Sequence, residues 1–329
     1  MDVPSRRTFL SRSAAAGGAL VLGGHSDSAN GSLDAASQQT PAAPQLSKAQ
    51  KLRAVLREPG LALAPEGYTV VAARLAEVHG FSLVYVPGSM MSGTYLGVPD
   101  WGLISPTEMV AIAGRIAREI SIPVISDADQ GGGTALNVYH SVQQFERAGV
   151  AGIHIEDTIN PKHADQRAPN RAAAPPADIE SLDRMVLRIR AAAAARSDPN
   201  FVIIARTDEA NIDGILRRGH AFAQAGADVF MPRTIRPDQI DRVTNEVGLP
   251  VLGVNLRIAD VRNTKLKINV YAGMVSGPAI ALCDSLMREL KEKGEVATRP
   301  DSRLAPDVMG KLSNQSVYSD LAAKWTMTR

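Results

Sequence analysis

Four short stretches of the chain carry side chains that could do chemistry together: Asp127-Ala128-Asp129, Glu156-Asp157, Arg206-Thr207-Asp208 and, further on, Asn255. Carboxylates brought close to one another repel and raise each other's pKa. A hard divalent cation removes that repulsion. An oxygen donor set with few imidazoles selects Mg²⁺, or Mn²⁺, rather than zinc. An arginine beside such a cluster supplies a planar fork that matches a carboxylate. Cation plus arginine suits a small 2-oxo or 2-hydroxy carboxylic acid, chelated through its carboxylate and the neighbouring oxygen. Taken singly, each stretch also has an ordinary reading. Asp-x-Asp can be a solvated loop, Glu-Asp can cap a helix, and Arg206 can pair structurally with Asp208.

The elements that carry these stretches bring them together. Short apolar runs recur at Leu61–Ala64, Ser82–Val86, Pro123–Ser126, Gly152–Ile155, Phe201–Ala205, Asp228–Met231, Pro250–Val254 and Ile268–Tyr271. Between them, Thr107–Ile120, Leu136–Ala148, Ile179–Ala195 and Ile212–Ala225 place apolar residues at helical spacing. Gly80, Gly149 and Gly226 each precede a strand, as helix stops do. Strands alternating with helices predict an α/β fold, a (β/α)8 TIM barrel. A doubly wound open sheet is the rival, but no G-x-G-x-x-G follows the first strand. In a barrel the strand tips face the active site. Gly88-Ser89 follows the second strand, the Asp pair the third, Glu156 the fourth, Arg206 the fifth and Asn255 the seventh. Ser316–Trp325 reads as a further C-terminal helix with Tyr318, Leu321 and Trp325 on one face, packed either on a neighbouring subunit or on its own barrel.

Composition narrows the class. The chain has 329 residues, 36 Lys+Arg against 34 Asp+Glu, and a single cysteine, Cys283. A net charge of +2 offers no footprint for nucleic acid. One cysteine excludes an intramolecular disulfide and a cysteine-based zinc site. Cys283 is expected to be buried packing on the helix after the eighth strand. Ser5-Arg6-Arg7-Thr8-Phe9-Leu10 and the weakly apolar run Ala14–Gly24 match a twin-arginine export signal, which predicts a periplasmic protein. The run is too short for a membrane anchor. Residues 1–46 are read as signal and linker, and 47–329 as the barrel domain with its helical extension.

Asp127-Ala128-Asp129 with Gly131 and Gly133, the run Gly149–Asp157, Ile204–Asp208, Tyr85-Val86 and Leu96–Asp100 together resemble the isocitrate lyase/phosphoenolpyruvate mutase superfamily. That resemblance implies a barrel with a helix exchanged between subunits of a homodimer or homotetramer. It also implies Mg²⁺ and an enolate-like intermediate next to an oxo acid. Carried over, Asp127 is the direct metal ligand, with Asp129 and Glu156 acting largely through water. Arg206 and the amides of Gly88 and Ser89 hold the substrate carboxylate, with Asn255 also facing it. Tyr85 lies against the reacting group, and Asp100 sits on a gating segment.

The departures bear on which reaction is run. The family's lyases carry Lys-[Lys/Arg]-Cys-Gly-His after the fourth strand, the cysteine serving as acid. Here the stretch is Lys162-His163-Ala164-Asp165-Gln166, and the loop to Ala177 is longer. Lys162, His163 and Asp165 are the catalytic candidates it leaves, with a solvated loop histidine as the ordinary reading of His163. Pro87, Gly132 and Met231-Pro232-Arg233 also depart from the lyase pattern. His154 shares the inward face of Glu156 and is expected to pack or hydrogen-bond there. The leading expectation is Mg²⁺-dependent cleavage of a C–C bond in an oxaloacetate- or malate-type acid. P–C bond chemistry of the same superfamily and an exported carboxylate-binding protein without turnover are the alternatives.

Overall fold

A computed structural model describes residues 46–162, 178–297 and 306–325. The signal and linker, apart from Leu46, lie outside these residues, as do His163 and the rest of its loop. Eight strands form one parallel sheet: β1 Ala62–Ala64, β2 Val84–Val86, β3 Val124–Asp127, β4 Gly152–Glu156, β5 Val202–Thr207, β6 Val229–Pro232, β7 Val251–Val254 and β8 Leu266–Val270. β1 pairs with β8. Closure between β1 and β2 comes from a parallel bridge of Glu66 to Tyr85. There Gly67 N–H donates to the Tyr85 carbonyl at 2.8 Å, and Tyr85 N–H to that of Pro65 at 3.0 Å. The (β/α)8 barrel is the observed fold.

The helices are α1 Lys48–Arg57, α2 Val70–Val78, α3 Gly88–Met91, α4 Pro106–Glu119, α5 Ala135–Arg147, α6 Leu182–Ala195, α7 Ile212–Ala225, α8 Ile240–Val247, α9 Ile258–Val261, α10 Ser276–Lys293, α11 Pro306–Ser313 and α12 Gln315–Trp325. Their starts follow from local chemistry. Ser105 and Glu108 form a capping box with Pro106 in the first turn of α4, and Thr134 with Asn137 does the same for α5. α7 stops where Gly226 takes φ 101°, a left-handed cap that glycine adopts without a Cβ clash.

Two apolar layers hold the barrel. Inside it, Leu83, Ile125, Val202, Ile204, Val229, Leu252 and Ile268 fill the core, and Leu52 and Val55 of α1 plug the N-terminal end. Arg53 ties that plug down by donating from Nε to the Asn200 carbonyl at 3.0 Å. Between strands and helices, Ile153, Ile155, Ile203 and Ala205 alternate outward to meet Phe145, Ile189 and Phe222. This period of two sends His154, Glu156 and Arg206 inward. At the opposite, C-terminal end, the buried Glu66 carboxylate accepts from the Val275 and Ser276 amides at 2.9 and 3.0 Å and so fixes the start of α10.

The C-terminal region corrects one expectation. Cys283 is exposed, not buried. It lies on α10 in a stripe with Ile280, Met287 and Leu290, all of them exposed and spaced as i, i+3, i+7 and i+10. A helix whose apolar stripe meets no barrel surface leaves its cysteine outside. α11 was not foreseen. It packs on α2, where Arg74 Nη1 donates to the Leu312 carbonyl at 2.5 Å. On α12, Tyr318 and Trp325 stay exposed, so its expected apolar face is not packed on the chain's own barrel. Among the described residues, no helix is long and apolar enough to cross a membrane.

Candidate active site

Strand register builds the site. Asp127 pairs with His154 across β3 and β4, and Glu156 pairs with Arg206 across β4 and β5. The turn after β3 extends the ladder, since Ala128 N–H donates to the His154 carbonyl and Glu156 N–H to that of Asp129. Asp129 takes φ 46°, in the left-handed region, which costs a non-glycine residue about 1–2 kcal/mol. That turn delivers its carboxylate beside the other two. Asp127, Asp129 and Glu156 each offer an oxygen within 4.8 Å of the others, and all three residues are buried.

Cationic side chains meet this cluster. Lys162 Nζ lies 2.5 Å from Asp129 Oδ1, 2.8 Å from Glu156 Oε1 and 3.3 Å from Asp100 Oδ1. Arg206 Nη1 is 2.5 Å from Glu156 Oε2, and its Nε donates to Asp208 Oδ1 at 2.9 Å. Asp208 Oδ2 faces Arg233 Nε at 3.5 Å, so one carboxylate holds both guanidiniums. Glu156 Oε1 also accepts from Gln130 Nε2 at 3.2 Å and from the Thr158 hydroxyl. Asp157 turns the other way, accepting from Thr207 and the Asp208 amide and pairing with Arg218 at 3.2 Å.

The predicted site residues converge with different degrees of freedom. Tyr85, Ser89, Asp100, Asp127, Lys162, Arg206 and Asn255 all line one cavity of about 430 Å³. Gly88 serves it indirectly. Its N–H donates to Asp127 Oδ2 at 3.0 Å, where a Cβ would come within 2.6 Å of that oxygen. The Gly88 amide therefore orients Asp127, and Ser89 is the one of the pair that lines the cavity. Asn255 is largely occupied too, since its Oδ1 accepts from Ala272 N–H at 2.9 Å and its Nδ2 donates back at 3.1 Å. It ties the tips of β7 and β8. His163 lies outside the described residues.

Sequence reasoning missed the supports rather than the cluster. Gln130 and Thr158 went unremarked, although Thr158 follows Glu156 by two and continues its face. The Tyr85 hydroxyl lies 3.0 Å from His154 Nε2, which is 3.5 Å from Asp127 Oδ1. Burial drives the His154 pKa down to about 3, with Arg206 adding to it, so the ring is neutral. A proton on Nε2 is donated to the Tyr85 oxygen, with Asp127 beyond it, and leaves only an acceptor, Nδ1, without a partner among the described residues. In that tautomer the Tyr85 hydroxyl is free to donate into the cavity. Burial, with Asp127 close by, holds the phenol well above 10 and so protonated.

A divalent cation fits this donor set. Asp129 Oδ2 is buried without a hydrogen-bond partner among the described residues. Burial lifts Asp127 to about 6 and Asp129 to about 7 even with the Lys162 ammonium alongside, the mark of carboxylates short of positive charge. Glu156 is driven low because Arg206 and Lys162 outweigh its own burial. Lys162 Nζ, lodged against Asp129 and Glu156, shows that the pocket accepts a compact cation. Three carboxylates and no sulfur or imidazole donor match a hard ion such as Mg²⁺.

Comparison with known proteins agrees with this geometry. The phosphoenolpyruvate phosphomutase family model matches residues 52–281. The chain is 39% identical over 188 residues to a 2,3-dimethylmalate lyase of Eubacterium barkeri, covering 56% of this chain and 63% of that one. It is 30% identical over 285 residues to a 2-methylisocitrate lyase of Aeropyrum pernix, covering 82% and 85%. A solved structure of oxaloacetate acetylhydrolase with the inhibitor 3,3-difluorooxalacetate superposes with a TM-score of 0.75 at 26% identity, covering 86% and 99%. The match spans 61% to 64% of the length of the Eubacterium enzyme and of 2-methylisocitrate lyases from Corynebacterium glutamicum and Shewanella oneidensis.

Proposed function

The chain belongs to the phosphoenolpyruvate phosphomutase family, within the isocitrate lyase superfamily, and from that premise we propose that it is a divalent-metal-dependent lyase. Its reaction breaks a carbon–carbon bond of a small 2-oxo or 2-hydroxy carboxylic acid. The observation that carries this reading is the clustering of Asp127, Asp129 and Glu156, with Asp127 and Arg206 lining one cavity. The matched enzymes act on acids of this kind by their names.

A cation held by Asp127, Asp129 and Glu156 would supply Lewis-acid stabilisation of negative charge on a substrate oxygen. The chain's own residues do the rest. Arg206, whose Nη2 has no partner among the described residues, and Ser89 bind the substrate carboxylate. The Tyr85 hydroxyl donates to the oxygen on which charge develops, a contact that strengthens as the bond breaks. Lys162 keeps its proton, because Glu156 and Asp129 outweigh its burial. It is the described group placed to return a proton to the cleaved carbon, with Asp100 at 3.3 Å beside it.

The test uses chain lacking its first forty-six residues, oxaloacetate and 2- and 3-alkylmalates, with Mg²⁺ or EDTA. Substrate loss and the individual products, pyruvate, oxalate and other 2-oxo acids, are followed against the metal-only rate. Turnover that EDTA and Asp127→Ala both abolish supports the reading. Mg²⁺-dependent oxalate binding with no product from any substrate favours the carboxylate-binding protein instead.

The exposed stripe of α10 supports a homodimer or homotetramer. The Arg6-Arg7 motif supports export to the periplasm, and Arg6→Lys with Arg7→Lys is expected to retain the full chain in the cytoplasm. Unchanged export of that variant would remove this part of the proposal.

A further inference from the structure

The cavity holds a second guanidinium for which the site as described has no use. Arg233, at the tip of β6, lines the same cavity as Arg206. Its backbone N–H donates to the Thr207 carbonyl at 3.0 Å, which fixes the residue against β5. Its side chain makes one polar contact among the described residues, Nε to Asp208 Oδ2 at 3.5 Å. Both terminal nitrogens are left without a protein partner among the described residues. The side chain is 41% exposed while its Asp208 partner is 4% exposed, so the free end stands toward the mouth of the cavity. Met231 and Val254 line the cavity alongside, an apolar surface beside the arginine.

An arginine with four unengaged N–H groups in a cavity presents a fork suited to a planar anion. The cluster at the base is not that anion, since Asp129 and Glu156 are already paired with Lys162 and Arg206. We infer that Arg233 is the recognition group for a second carboxylate on the substrate. Asp208 aims Arg206 and Arg233 from its two oxygens, and the substrate carbons between the carboxylates lie along Met231 and Val254. The substrate is then a dicarboxylate, its 2-oxo or 2-hydroxy head on Arg206 and its distal carboxylate on Arg233. This rests on the lyase reading of the site and narrows its substrate class.

A matched series tests it without turnover: lactate, malate and 2-hydroxy-3-phosphonopropanoate, which differ only in bearing hydrogen, carboxylate or phosphonate on the third carbon. Binding of each, and of oxalate, is measured by calorimetry in Mg²⁺ with wild-type protein, Arg233→Gln and Arg233→Lys. Wild type is expected to prefer malate over lactate by about tenfold or more, the worth of a charged hydrogen bond. Arg233→Gln should erase that preference while oxalate and lactate affinities stay within about twofold, and Arg233→Lys should keep part of it. Unchanged oxalate binding also reports that the variant is folded. A malate preference that survives in Arg233→Gln overturns the inference alone. A wild-type preference for the phosphonate over malate overturns the carboxylate assignment. Wild type that takes up neither oxalate nor lactate sinks the lyase reading, and this inference with it.

Discussion

Glu156 and Arg206 face each other in register across β4 and β5, with Arg206 Nη1 2.5 Å from Glu156 Oε2 and Glu156 fully buried. The pair joins the metal cluster to the carboxylate-binding side of the cavity. Breaking one partner of such a pair strands the other, which costs more than the intact pair contributes. Arg206→Gln is therefore expected to lower unfolding free energy by about 3–5 kcal/mol. Urea titration measures the first effect and calorimetry with oxalate the second, which should fall below detection. Arg206→Lys should recover part of the stability but little of the binding, because an ammonium lacks the fork. Wild-type stability in Arg206→Gln would mean the ion pair is incidental.

Lys162 and a divalent cation compete for the same oxygens. Nζ sits 2.5 Å from Asp129 Oδ1 and 2.8 Å from Glu156 Oε1. Lys162→Met keeps an unbranched apolar stem without the ammonium, which removes the competitor and leaves the carboxylates underneutralised. The variant is expected to be less stable than wild type without metal and to bind Mg²⁺ about tenfold more tightly. Its turnover should fall, since the proton it supplies is gone. Thermal melts across an Mg²⁺ titration separate the outcomes. Weaker Mg²⁺ binding in the variant would show that Lys162 helps hold the ion rather than displacing into its place.

Gly88 is a test of how closely the backbone must approach the metal ligand. A Cβ there would sit 2.6 Å from Asp127 Oδ2 and 2.9 Å from Cγ, and the carboxylate is already anchored by two amides, those of Gly88 and Asp129. Gly88→Ala should push Asp127 out of the cluster, destabilising the fold by about 1–3 kcal/mol. Divalent-ion binding should fall with it. Unaltered Mg²⁺ affinity in this variant would show that Asp127 is not the ligand it is taken to be.

The barrel and its acidic cluster were legible because both depend on local order. Every strand run found by its apolar pattern is a strand, and a period of two carries Glu156 and Arg206 to the same interior. What sequence could not give is how the donors are shared. Nothing in Gly88 or Asn255 says that their polar groups are committed to Asp127 and Ala272. Arg233 read only as a departure until its side chain was seen flanking Asp208. Cys283 misled for a related reason. An apolar residue on a helix predicts burial against something, and the pattern does not say whether that is the chain's own barrel.

The same stripe yields the last prediction. Ile280, Cys283, Met287 and Leu290 repeat at three and four residues along α10, and Met287 is 70% exposed. Ile280, Met287 and Leu290, held largely in water, forgo up to roughly 1.5–3 kcal/mol each that burial would recover. A second copy of the chain presenting the same helix is the partner the resemblance implies, and it would cover the stripe symmetrically. Light scattering should give a mass that is a multiple of 34.9 kDa for the full chain. Met287→Glu with Leu290→Glu should shift it toward the monomer while Mg²⁺ binding persists, because α10 carries none of the three carboxylates. In the assembled protein Cys283 should resist a thiol reagent, and in the doubly substituted chain it should react at once. Rapid labelling of Cys283 in the wild-type assembly would place the interface elsewhere and leave α10 facing solvent.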